Sequence, residues 1–311
     1  MKFGVREICD VVLKAKSDIV IGNQSFKKDE PVMYFDTAKT STVEGAATTV
    51  YATGGKGNAR LIAWEGERTV TFTMEDALMS PLGFAILSGA GIVDAGEESL
   101  INIHMVERVT GTASGGSVTL DLNTLLDLET KGMVVNDDEG AFVMALDGNG
   151  NIIAKMPAKQ SISEGTITLS SVNSHGMPSD GAIMFLVDFY CQAQGGVQQI
   201  EITPDKFAGS YYLEADTLFR RQEDGVDMPA QFIIPNVKIQ SAFNFAMASS
   251  GDPSTFTFTM DAFPDYTKFD KTKKVLFALQ IVDEKAMATA GAPEVASVMS
   301  RKNRKPAMEV K

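Results

Sequence analysis

Only two histidines, His104 in INIHMVERV and His175 in NSHGMPSDG, supply side chains that titrate near neutrality without help from their surroundings. General-base chemistry needs such a group within hydrogen-bond reach of a nucleophile. His104 falls in an alternating stretch that reads as a strand face, His175 falls in a turn-like one, and neither is accompanied by a nucleophile motif. GGKGNAR, ending at Arg60, has the glycines and lysine of a phosphate loop but neither the G-x-x-x-x-G-K-[ST] spacing nor a strand-to-helix setting, so it reads as a turn. Asp147-Gly148-Asn149-Gly150-Asn151 places oxygen ligands at alternate positions, as a calcium loop does. Its sixth position is Ile152 where the loop needs Gly, and its twelfth is Ala158 where a bidentate Glu is required. Between AFVMAL and NIIAKM it reads as a hairpin turn in which Gly and Asn accept positive φ. Asp137, Asp138 and Glu139 form a charge run, the usual mark of a solvated loop face. Cys9 and Cys191 lie far apart with no C-x-x-C partner, which gives neither a disulfide framework nor a zinc site and predicts reduced, buried thiols. No convergent set of reactive groups emerges, and the reading is of a non-enzyme with no catalytic residue, metal or cofactor.

The bulk properties narrow the alternatives. At 311 residues and 44% hydrophobic, the chain holds one large core or two smaller ones, since single cores stop growing at roughly 250 to 300 residues. A net charge of -12 and a pI near 4.7 oppose sequence-independent nucleic-acid binding, which draws on Lys and Arg to displace phosphate counterions. The same acidity suits a surface that DNA slides past. The opening MKFGVREICDVVLKAK carries Arg6, Glu7 and Asp10 inside its apolar stretch, unlike a secretory signal. No run approaches the ~18 apolar residues of a membrane span, so folding in a cytoplasm without a membrane partner is expected. A carbohydrate-binding β-sandwich would cluster aromatics on an exposed face; the suggestive ones, Trp64, Tyr211 and Tyr212, are dispersed.

Strand signals dominate the elements. Val70-Thr71-Phe72-Thr73-Met74-Glu75-Asp76-Ala77 is echoed by Phe256-Thr257-Phe258-Thr259-Met260-Asp261-Ala262, each alternating Thr with a large apolar residue. In strands the apolar set lines one face and the threonines the other. Short alternations separated by turn clusters such as Gly115-Gly116 and Gly195-Gly196 predict mostly antiparallel sheet. One helix is well marked, with Ser80 as N-cap, Pro81 at the first helical position and Gly89 as the stop. The leucines of 119–129 allow a second. Residues 36–60, small, polar and Gly/Thr-rich, predict a long loop or mobile arm that reaches a neighbouring subunit, with Asp36, Thr40, Glu44, Thr49, Lys56 and Arg60 as candidate contacts. From Lys285 to Lys311 the chain turns basic, a tail that docks on an acidic neighbour or stays flexible.

The succession of a threonine strand, MEDALMSPLGFAILSGAG, IEITPDKFAGSYYLEADTLFRR and IPNVKIQSAFNFAMASSGDPSTFTFTMDAFPD resembles the tail tube proteins of tailed bacteriophages, particularly contractile-tailed ones. The resemblance implies a mainly β fold: two packed antiparallel sheets, sandwich or barrel, with one short flanking helix. It implies a tube domain over 1–99 and 181–284, with a linking arm at 1–16 and a linking loop at 36–60, and a β-rich insertion at 100–180. Six copies would close into a ring and rings would stack into a hollow tube in the virion tail, assembled in the host cytoplasm. Its partners would be further copies, the sheath of a contractile tail, and the tape measure and baseplate proteins. DNA would pass without specific binding along a lumen for which Glu75, Asp76, Glu201 and Asp205 are the candidate acids. Related baseplate hub and tube-initiator proteins share the fold and remain an alternative, because TFTM occurs twice and could record a duplication.

Overall fold

The computed structural model describes residues 2–283 except 23, 246, 248 and 251–253; the basic 285–311 segment lies outside them. The chain is mainly β, 56% strand and 6% helical, in several antiparallel sheets with two α-helices and, among the described residues, no closed barrel. It divides into two compact units, residues 1–91 with the chain from 202 onward, and Ile92–Glu201.

The first unit rests on a nine-stranded sheet. Across it run Pro31–Phe35, Asp10–Ala15, Ser210–Arg221, Asp227–Ile239, Phe256–Ala262, Ala59–Asp76 and Ala38–Gly54; Phe3–Val5 joins Ser210–Arg221, and Ala278–Ile281 joins Asp227–Ile239. The two threonine phrases are therefore antiparallel neighbours in one sheet. Phe258 lies opposite Met74, Thr259 opposite Thr73 and Met260 opposite Phe72. All four apolar residues are fully buried, and Phe35 meets Phe258 edge-on at 4.8 Å between ring centroids.

Over that apolar face lies the helix Pro81–Ser88, bounded as its caps predict. Ser80 Oγ accepts from the Gly83 amide at 3.0 Å, and Gly89 takes the left-handed φ of 73° that ends the helix. Ile86 and Leu87 enter the same core as Phe72 and Leu13. Two expectations need correction here. The proposed arm at 1–16 includes the strand Asp10–Ala15, paired on both sides in the sheet, whose Val11, Leu13 and Ala15 are fully buried. The segment 36–60 is not a loop: Ala38–Gly54 and Ala59–Asp76 are the paired strands of one long hairpin. Backbone pairing needs no apolar side chain, so its small, threonine-rich composition was no bar to a ladder.

The second unit is a β-sandwich around its own core. Gly181–Ala193 pairs along its whole length with Ile101–Ala113 without a register shift, and its other edge takes Met133–Val135 and Phe142–Leu146. A three-stranded sheet of Val118–Asp121, Thr166–Leu169 and Ile162–Ser163 contributes the buried Leu120, Ile167 and Leu169 to the core that holds Phe185 and Phe189. The insertion read at 100–180 stops short of the strand Gly181–Ala193, whose alternation does not say which sheet it joins. The second helix shrinks to Leu122–Leu126, capped by Asp121. Val118, Leu120 and Leu122 are buried while Thr119 is exposed, the two-residue period of a strand running up to that cap. At the turn read at Asp147, one carboxylate oxygen accepts from the Asn149 and Asn151 amides, each at 2.8 Å. These bonds, led by that from the Asn151 side chain, hold the Asp147 carboxyl below the usual carboxylate range.

Phe258→Ala should lower the stability of the first unit by about 3–5 kcal/mol through the cavity it leaves, whereas Thr259→Ala should cost less than about 1 kcal/mol. Equal losses in urea titrations followed by circular dichroism would contradict the assignment of faces. Burial pushes the Cys9 and Cys191 thiols up to about 11. Neither should react with an aromatic disulfide reagent at about pH 8 in the folded chain, and both should react in urea; prompt labelling of the native protein would show an open thiol.

Candidate assembly surfaces

The hairpin Ala38–Asp76 has two parts. Near its base, Thr71–Asp76 pairs on one side with the hairpin's own first strand and on the other with Phe256–Asp261. From Gly45 and Val70 outward the two strands pair only with each other among the described residues, over a length of about 30 Å. The turn at its tip contains Gly55, Gly57 and Asn58, all at positive φ. Midway, the register shifts between Ala47 and Thr49. There the Thr48 side chain folds across Gly66, and a Cβ added at Gly66 would stand 2.4 Å from the Thr48 hydroxyl and turn it aside.

This outer ribbon carries apolar side chains with nothing over them. Val50, Leu61, Ile62 and Trp64 are each more than half exposed, and Tyr51 is 40% exposed beneath the Arg60 guanidinium, 4.1 Å from its ring centroid. An isolated two-stranded ribbon is marginally stable in water, and exposed apolar strands invite pairing. Of the six residues expected to touch a neighbour, Thr40, Glu44, Thr49 and Arg60 lie on the hairpin strands, Lys56 lies in the tip turn and Asp36 precedes the first strand; all six are exposed. Of the apolar members, Val50 and Tyr51 fell inside the segment read as a loop, while Leu61, Ile62 and Trp64 lie just beyond it on the second strand.

The polar face of the nine-stranded sheet is the second surface. Rows of directly opposed residues cross it: Thr40, Glu75 and Thr257; Thr42, Thr73 and Thr259; Glu44, Thr71, Asp261 and Lys238. Farther along, Asp10 lies opposite Asp216, which accepts from the Gln231 amide at 2.8 Å, and Lys14 pairs with Glu214. Asp261 accepts from Thr71 Oγ1 at 3.2 Å and from the Gln240 amide at 2.9 Å. Carboxylates outnumber lysines on this face, and hydroxyls separate them.

The four candidate lumen acids are not brought together. Glu75 joins the threonine face. Asp76, the next residue, points to the other side, is 3% exposed, and accepts hydrogen bonds from the Thr37 hydroxyl and the Leu78 amide; a carboxylate so enclosed lines no bore. Glu201 ends the strand Gln198–Glu201 of the second unit and accepts from the Gln199 side-chain amide at 2.7 Å. Asp205 is exposed in the first unit. The acids that do share the face with Glu75 include Asp261, which continues the Thr257, Thr259 alternation and was legible from it.

A family model described as the YomU/Tube protein family matches residues 4–276. No curated protein matches the sequence.

Trp64, the chain's single tryptophan, is 53% exposed on the hairpin. Its fluorescence should be that of a solvated indole in dispersed chains, and it should shift to the blue if a neighbouring copy covers the hairpin. Identical spectra before and after assembly would leave the hairpin outside the contacts.

Proposed function

The chain belongs to the YomU/Tube protein family, a family of structural tube proteins, and from that premise we propose that it is the repeating subunit of a phage tail tube. Six copies close into a ring, rings stack, and the genome travels through the bore. The observation that carries this reading is the free outer half of the Ala38–Asp76 hairpin, a paired ribbon with uncovered apolar residues and no core of its own. Laid along a neighbouring copy, it would gain backbone pairing and bury Leu61, Ile62 and Trp64 together. Each contact needs modest affinity only, because every subunit engages several neighbours at high effective concentration.

The threonine face supplies the second element. A wall facing moving DNA must not collect phosphates, and binding them requires clustered Lys and Arg. Glu44, Glu75 and Asp261, interspersed among hydroxyls, repel a polyanion at short range. The two similar strands being neighbours in one sheet favours a single tube domain per chain, hence six copies in preference to three duplicated ones. The sheath, tape measure and baseplate would be the further partners, with assembly in the host cytoplasm and no catalytic step.

Negative-stain images of concentrated wild-type chain should show hollow rings or tubes. Leu61→Asp with Trp64→Asp should leave circular dichroism unchanged and abolish them, because the substituted residues touch no core. A uniform wild-type monomer at high concentration, or normal tubes from the variant, would sink the reading.

A further inference from the structure

The second unit exposes a patch in which aromatic and polar side chains alternate. On the outer face of its five-stranded sheet, His104 lies opposite Tyr190, Val106 opposite Asp188, and Asp188 in turn opposite Phe142. Phe142 is 52% exposed, Val106 46% and Tyr190 37%. Between the two rings sits a polar pair: His104 Nε2 is 2.9 Å from Asp188 Oδ1, and the imidazole packs against the Tyr190 ring at 5.2 Å between centroids. Arg108, opposite Leu186, borders the next row. Ile183, Phe185, Val187 and Phe189 anchor the opposite face of the strand Gly181–Ala193 in the core.

The composition distinguishes between occupants. A dry protein contact concentrates apolar groups at its centre and excludes charge from it. Here the centre is a carboxylate hydrogen-bonded to an imidazole, flanked by Val106 and Phe142, and a dry partner would have to strip both polar groups of water. A sugar ring has the opposite character. Its C–H face packs on an aromatic ring while its equatorial hydroxyls point sideways to donors and acceptors. We propose that this face of the second unit binds neutral hexopyranose glycans, with Tyr190 and Phe142 as stacking platforms and Asp188, held by His104, accepting from sugar hydroxyls. The site is independent of the tube reading, since it needs neither the hairpin nor the threonine face.

The test uses the full-length chain with cello-, chito-, malto- and galacto-oligosaccharides at millimolar concentration, read by saturation-transfer NMR and by titration. At least one series should receive saturation from the protein. Tyr190→Ala and Asp188→Asn should each weaken that binding by about tenfold. Ile153→Ala, at another exposed apolar position of the same unit, should leave it unchanged, and thermal melting should show all variants folded. No transfer to any of the four series, or transfer that survives Tyr190→Ala combined with Phe142→Ala, overturns the proposal. So does a change in sedimentation of the sugar-free chain on ring deletion, which would mark the patch as a protein contact. Loss of tubes in the hairpin variant with sugar binding intact would leave this site standing on its own.

Discussion

The pairing of Thr71–Asp76 with Phe256–Asp261 is the constraint on which the first unit depends. With a two-residue period, one slip of register would carry Phe72, Met74, Phe258 and Met260 into water and bring threonines into the core. Four large side chains on two neighbouring strands make that slip too costly to populate. The same period leaves the opposite face to Thr, Glu and Asp. The dry face, which Ile86 and Leu87 of the helix cover, and the wet face, which meets solvent or a neighbour, are thus one decision taken twice in the sequence.

The hairpin extends that decision beyond the core. At its base the strands are held by a third strand and by buried Phe72 and Met74; past Val70 only backbone pairing remains. A ladder continued without a core keeps its shape through β propensity and its own bonds, but stays close to the limit of stability. The bulge at Ala47 and Thr49, with Thr48 folded over Gly66, breaks the alternation there and re-aims the outer side chains. A ribbon of this kind gains most of its ordering when another surface completes it.

Capping chemistry was fully legible in the sequence. Ser80, Pro81 and Gly89 mark their helix because each acts within one turn of its own position. The Asp147 turn was legible for the same reason, as was the facing of the two threonine strands. The 36–60 hairpin was not, because composition reports what a segment buries, and this one buries little while its backbone is paired. Tyr211 and Tyr212, suggestive of a sugar platform in sequence, are core residues. The rings that do share an exposed face, Phe142 and Tyr190, are far apart in the chain and meet only through the pairing of Phe142–Leu146 with Gly181–Ala193. Asp76 follows Phe72 and Met74 in the two-residue period, so the alternation already set it on the opposite side from Glu75.

Threonine also bears on what the polar face can do. A strand face must be polar to stay wet, and lysine or arginine would meet that need, yet they would make a trap for any polyanion. Acids alone would meet it too, but carboxylates directly opposite one another across strands repel and weaken the sheet. Threonine satisfies both limits: it favours the extended backbone, its hydroxyl meets water or a neighbouring carboxylate as Thr71 meets Asp261, and it carries no charge. Spacing Glu44, Glu75 and Asp261 among hydroxyls keeps the face acidic without setting acid against acid within those rows. The resulting face is hydrated and weakly repulsive to phosphate, the two properties on which the proposed lumen role depends.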